Sequence, residues 1–272
     1  MATILVMPDT AVERAAPLPI RRLLRAYLVE AKYETTGALR TPAFAIPFLL
    51  IPVAIYFLFG VVIAGGGGAE SNSEWGPGIV NYLFTGFSVL AVIMPGIFTG
   101  VGLAIERDSG LLKLKRALPT PPGAILAAKV LTSMCVTAIA LSLVLAVALI
   151  AGKITLSLPQ VAIIYAVLIA GCIPFCAIGF FIGSVASGSA APAYGNLVFL
   201  PMMWLSGLFI PLPDFLERWA VIWPAFHLNQ LALGLAGVDE FSFFPPAMAA
   251  GALVGVTVLF GGLAIRRLAR VG

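Results

Sequence analysis

The sequence predicts an all-α integral membrane protein of about six transmembrane helices. Three observations predict it. Of 272 residues, 61% are hydrophobic and only 10% charged, against roughly 25% charged in a soluble domain. The apolar residues gather in charge-free runs of the ~20 residues that a helix needs to cross a ~30 Å hydrocarbon core. The basic residues gather on one side of those runs.

The runs are 42–64, 79–105, 130–152, 161–187, 192–211 and 245–265. Between the fourth and fifth stand only Gly188, Ser189, Ala190 and Ala191, four small residues that suit a tight helical hairpin. Backbone groups left unpaired in lipid cost several kcal/mol each, so a span is a helix or part of a closed barrel. Barrel strands alternate polar and apolar residues, and these runs do not. Pro47, Pro52, Pro95, Pro174 and Pro201 fall inside spans. Each removes a donor and can kink its helix. Cys135, Cys172 and Cys176 also fall in apolar segments, the last two on one helix face, and are expected to be packing residues.

Lys and Arg accumulate on the cytoplasmic side of membrane proteins. Fourteen of the sixteen lie before the first span, between the second and third, or after the sixth; only Lys153 and Arg218 lie opposite. Both termini are therefore expected in the cytoplasm, with residues 1–41 and 266–272 flanking a membrane domain over 42–265. The net charge of +4 reflects this topology, and no nucleic-acid partner is needed to explain it. Residues 1–41 lack a cleavable leader pattern, so the first span is the expected insertion signal.

Two segments outside the spans carry information. From Ile20 to Ala38, the residues Ile20, Leu23, Leu24, Tyr27, Leu28 and Ala31 form one helical stripe, with Arg21, Arg22, Arg25 and Lys32 off it. Such a helix either lies flat in the membrane interface, in contact with lipid, or packs as a cytoplasmic helix on its own protein. The second segment, Glu106 to Gly123, reads ERDSGLLKLKRALPTPPG. Asp108 or Ser109 is a candidate cap. Leu111, Leu114 and Leu118 make an apolar ridge, and Pro119, Pro121 and Pro122 end it. A helix this short is marginal alone and makes sense as a ridge that docks on a partner.

That loop resembles the cytoplasmic loop of type-2 ABC exporter permeases, the daunorubicin-resistance-type drug and lipid exporters. They carry an E-R-[DE]-x-G stretch and a short leucine-containing helix with a proline-bounded end, here Glu106, Arg107, Asp108, Gly110, Leu112, Leu114 and Pro119. The segment from Leu205 to Leu235 is similar too, with Pro211, Pro213 and Pro224 at the family's proline positions. The chain departs at Leu111, where the family often has Thr, and at Lys113, often acidic. The resemblance implies a dimer of permeases, each docked to an ATP-binding-cassette ATPase subunit that binds ATP and Mg, in a bacterial cytoplasmic membrane. It implies an interfacial elbow helix at Ile20 to Ala38, a coupling helix near Gly110 to Leu118, and a path lined by the second and fifth helices. It also implies short external helices between the fifth and sixth.

Other patterns narrow the reading. No G-x-x-x-x-G-K-[ST] loop occurs, so this chain has no phosphate loop of its own. The glycine run 65–68 is a candidate flexible external loop. The spans as drawn hold no Asp, Glu, Lys, Arg or His, which weighs against a proton-coupled carrier. A sodium-coupled carrier and a non-transporting scaffold or immunity protein stay open as alternatives. Asn81, Tyr82, Thr85 and Ser88 in the second span, with Tyr194, Asn196, Trp204 and Ser206 in the fifth, are candidates for contacting substrate or for bonding neighbouring helices. Small residues recur four apart at Gly96/Gly100, Gly179/Gly183 and Gly251/Gly255, which permits close helix approach. Asp214 and Glu217 suggest a capping-box variant on an external helix running to about Trp223, with Trp219 and Trp223 at the interface. His227, the sole histidine, is expected to pack or hydrogen-bond. No catalytic or metal-binding cluster stands out.

Overall fold

The computed structural model describes residues 20–63, 79–117, 123–152, 154–209, 214–238 and 242–271. Arg14, the glycine run 65–68, Leu118, Pro119, Pro121, Pro122, Lys153, Pro211 and Pro213 lie outside the described residues.

Among the described residues helix is the only regular secondary structure. In order come α1 (Ile20–Arg40), α2 (Pro42–Tyr56), α3 (Ile79–Asp108), α4 (Leu111–Ala117), α5 (Ala124–Ile150), α6 (Leu158–Ala170), α7 (Cys172–Val185), α8 (Ala191–Leu205), α9 (Asp214–Ala220), α10 (Pro224–Leu235) and α11 (Pro246–Val271). α2 runs on as a wider π-helical turn over Phe57–Ile63.

The break between α1 and α2 is written in Thr41-Pro42. A residue before proline is pushed out of the helical region, and Thr41 is extended at φ −94°, ψ 100°. Pro42 then sits in the first turn of α2, where its missing donor costs nothing. α6 and α7 form one crossing interrupted at Gly171, because Pro174 cannot donate to the Ala170 carbonyl.

Among the described residues five helices are long and apolar enough to cross a membrane: Pro42–Ile63, Ile79–Asp108, Ala124–Ile150, Leu158–Val185 and Pro246–Arg270. The fifth expected span differs. α8 is 15 residues long, about 22 Å at 1.5 Å per residue, and it stops at a turn where Ser206 Oγ donates to the Met202 carbonyl (2.5 Å) and Gly207 takes φ +66°.

α3 is the axis of the bundle. It packs most extensively on α7, then on α5, α2 and α8; α11 closes on α7 and α10, and α1 lies along α5. The α3–α7 seam explains two of the glycine pairs. A Cβ on Gly100 would stand 1.7 Å from the Gly179 carbonyl oxygen, one on Gly183 2.3 Å from that of Gly100, and one on Gly96 2.6 Å from Phe175 Cβ. These pairs are used within the chain. Gly251 and Gly255 on α11 face open space. Cys172 and Cys176 are buried free thiols in the core, and Cys135 is exposed.

The segment after α8 is more enclosed than the sequence suggests. α9 ends at Ala220 rather than near Trp223, and α10 buries Phe226, His227, Leu228, Asn229 and Gln230. Trp219 is exposed. The side chains of Asp214 and Glu217 lie outside the described residues.

Candidate functional site

The chemistry concentrates at the basic end of the bundle, around the Glu106–Gly110 motif. α3 continues through Glu106, Arg107 and Asp108. Gly110 then turns the chain at φ +77°, a left-handed conformation that favours glycine, and α4 begins. The Leu114 amide donates to the Gly110 carbonyl (3.2 Å), so Gly110 occupies the cap position. Asp108 and Ser109, the expected caps, are engaged elsewhere: Ser109 donates back to the Glu106 carbonyl (3.2 Å).

Arg107 donates to the carbonyls of Gly183 (2.9 Å) and Ala186 (2.7 Å) and to the Asp108 carboxylate. The last carbonyls of a helix have no partner within it, and this guanidinium satisfies two at the end of α7. Asp108 accepts the Gly188 amide at 2.6 Å. That hydrogen bond, with the one from Arg107, holds its carboxyl below the usual range. The pair pins α3 to the α7–α8 turn.

Glu106 points to the other flank. Lys129 Nζ lies 2.6 Å from Glu34 and 2.8 Å from Glu106, and Lys115 Nζ lies 3.0 Å from Glu34 and 3.4 Å from Glu106. Charges alternate around this square, which ties together α1, α3, α4 and α5. The Lys129 side chain is 4% exposed. Burial alone would raise the Glu34 pKa, but the two ammonium groups outweigh it and hold it below the ordinary value. Burial likewise opposes the charge on Lys115, and its carboxylate partners raise its pKa regardless. Thr35 and Thr132 add a hydroxyl contact at 3.0 Å between α1 and α5.

This square shows that the third expected span is part of a longer helix. α5 starts six residues before the expected Val130 and carries Lys129 inside it. A charge normally marks a helix end in lipid, and partners 95 and 23 residues distant give no local sign. The one signal was the presence of Glu34 and Glu106 among so many cations.

With its rear fixed, α4 shows two leucines outward. Leu111 is 42% and Leu114 65% exposed, while Leu112 is buried in the core. On α1 the expected single stripe divides. Ala31 is buried, and Leu23 and Tyr27 are partly covered on the side toward the bundle; Ile20, Leu24 and Leu28 are exposed, with Arg21, Arg22, Arg25 and Lys32 also on the surface.

The candidate path residues fall into two groups. Asn81, Tyr82, Thr85 and Ser88 are buried in the bundle. Asn81 donates to Thr155 (2.6 Å), Tyr82 to the Gly207 carbonyl and Thr85 to the Asn81 carbonyl (3.1 Å). Ser88 Oγ is buried without a partner. On α8, Tyr194, Asn196 and Trp204 are exposed, and Ser206, just past its end, is buried. His227 Nε2 bonds the Val221 carbonyl at 2.8 Å. Burial lowers its pKa more than that contact raises it. Among the described residues no group of His, Cys, Asp and Glu is placed to hold a metal ion.

A central apolar helix, with further helices around it long and apolar enough to cross a membrane, describes a multi-pass membrane protein. The chain belongs to the ABC-2 type transporter family, which matches residues 26–240. It is similar to the putative transport permease YvfS of Bacillus subtilis (strain 168), with 23% identity over 201 residues, covering 72% of this chain and 80% of that relative.

Proposed function

We propose that this chain is the membrane half of an ATP-driven exporter in a bacterial cytoplasmic membrane. Two copies pair, and each docks an ATP-binding-cassette subunit that hydrolyses ATP with Mg. The chain crosses six times, α8 serving as a short fifth crossing, with both termini in the cytoplasm. α1 lies in the interface as the elbow, and its exposed Ile20, Leu24 and Leu28 enter the lipid. The substrate is hydrophobic or amphipathic and passes beside the exposed Tyr194, Asn196 and Trp204 of α8.

One observation carries this reading. α4 exposes Leu111 and Leu114 while salt bridges fix Lys115 behind them. A seven-residue helix has no stability of its own to spare. Clamping one in place to present leucines suits a surface that receives force from a partner. Closure of the ATPase would push α4, and the clamp would pass that displacement to α3, α1 and α5.

Replacing Leu111 and Leu114 together with Asp should abolish co-purification of the ATPase subunit and leave membrane insertion intact. Undiminished co-purification refutes the docking role. Uphill transport by the purified chain in liposomes under an ion gradient alone would instead establish a secondary carrier.

A further inference from the structure

Beside the ion square, α1, α2, α3 and α5 enclose a cleft of about 550 Å³, within the roughly 300–1,000 Å³ of small-molecule sites. Its two ends differ in chemistry. One end holds Glu34, Glu106 and Lys129. The other holds Phe44, Phe48 and Phe98, with ring centroids 4.3 Å apart for the first pair and 5.6 Å for Phe48 and Phe98. Thr41 and Thr99 also line it. Glu106 and Phe98 are eight residues apart on α3, about 12 Å along the axis at 1.5 Å per residue. That is less than half of a ~30 Å hydrocarbon core, so the cleft stays within one leaflet.

Two glycines line this cleft, Gly37 on α1 and Gly102 on α3. Glycine inside a helix costs about 1 kcal/mol relative to alanine. At Gly96, Gly100, Gly179 and Gly183 close packing of the α3–α7 seam forbids a side chain. At Gly37 and Gly102 a Cβ would meet nothing within 4 Å. A side chain at either position would therefore have room on the cleft wall.

We propose that the cleft is a binding site for one zwitterionic phospholipid of the leaflet at the basic end, phosphatidylethanolamine in chemistry. The headgroup sits at the ion square and an acyl chain runs along the three phenylalanines. The square has no net charge, so it favours neither a bare anion nor a bare cation. It offers both signs of hydrogen bond. Lys129 spends two of its three donors on Glu34 and Glu106, and a third remains for a phosphate oxygen. Each carboxylate oxygen takes one bond from a lysine, which leaves lone pairs for the lipid ammonium. The site rests on the cleft's own chemistry and holds whether or not the chain exports anything.

The test is native mass spectrometry of the full-length chain, exchanged into micelles with equal phosphatidylethanolamine and phosphatidylglycerol. Gly102→Phe and Gly37→Phe fill the cleft from two different helices, and Gly251→Phe places the same bulk on open α11. Melting curves establish that each variant is folded. One phosphatidylethanolamine per chain should persist on the wild type and on Gly251→Phe. The bound fraction should fall about tenfold in at least one folded cleft variant. Three results each overturn the proposal: retention of phosphatidylethanolamine unchanged in the folded cleft variants, equal retention of phosphatidylglycerol by the wild type, or loss of a second copy of the chain, which would make the cleft a subunit contact.

Discussion

Lys129→Met removes one corner of the ion square while keeping the length and apolar stem of the side chain. Lys129 is 4% exposed and sits 2.6 and 2.8 Å from two carboxylates. Breaking a buried ion pair by deleting one partner typically costs 3–5 kcal/mol, because a buried charge is left uncompensated. Here Lys115 still reaches both carboxylates, at 3.0 and 3.4 Å. The cost should therefore fall at the low end, about 3 kcal/mol. Adding Glu34→Gln removes the surplus negative charge and leaves one balanced pair, Glu106 with Lys115. The double variant should regain most of the loss, a coupling of about 2 kcal/mol. Unfolding of the full chain in mixed micelles at rising dodecyl sulfate, followed by tryptophan fluorescence, measures all four corners of the cycle. The lowered Glu34 pKa adds a pH signature. A depressed folded value stabilises above the ordinary 4.5, and that stability is lost as pH falls through the folded value. The raised Lys115 value stabilises below 10.5 and is lost as pH rises through it. The square's own contribution should thus be level between those limits and decline outside them, and Lys129→Met should weaken the acid-side decline. A single-variant cost under ~0.5 kcal/mol, the ordinary range of surface changes, or strict additivity with Glu34→Gln, refutes the reasoning.

Other consequences are open to the same unfolding assay. Gly100→Ala drives a methyl against the Gly179 carbonyl and should cost about 3 kcal/mol, the upper end for overpacking, whereas Gly251→Ala should change stability by less than ~0.5 kcal/mol. Arg107→Lys gives up the fork that satisfies Gly183 and Ala186 and should cost about 2 kcal/mol, the scale of charged hydrogen bonds; a change near zero would show those carbonyls are satisfied without it. The lowered His227 pKa means the unfolded chain takes up a proton first, so stability should fall as pH drops below about 6.5. His227→Gln should flatten that dependence, and an unaltered slope would assign it elsewhere.

Five of the expected spans were legible because a charge-free apolar run is a local signal. The break at Thr41-Pro42 and the turn at Gly110 have local causes too, although Asp108 or Ser109 had been the expected cap. Leu111 and Leu114 were legible as a ridge for the same reason. What escaped was decided by tertiary partners. Asn81 and Tyr82 look identical in sequence whether they greet cargo or bond Thr155 and Gly207. Lys129 looked like a boundary because its neutralising carboxylates come from α1 and α3. Gly96 and Gly179 offered close approach to any helix, and only the fold shows that they chose each other. Glu106, Arg107 and Asp108 stand next to one another in sequence, yet in the fold Glu106 bonds Lys115 of α4 and Lys129 of α5, while Arg107 and Asp108 bond the α7–α8 turn.

The glycine seam of α3 and α7 has a mechanical consequence. Two backbones in direct touch have no compliant side chains between them to absorb sliding, and Arg107 bolts their ends together. They form a stiff beam rather than two independent rods. α3 has 30 residues, about 45 Å of length. A rotation of roughly 10° about its basic end would sweep the far end through about 8 Å, given that length. A small shove at the basic end would thereby become a large displacement at the other end of the helix.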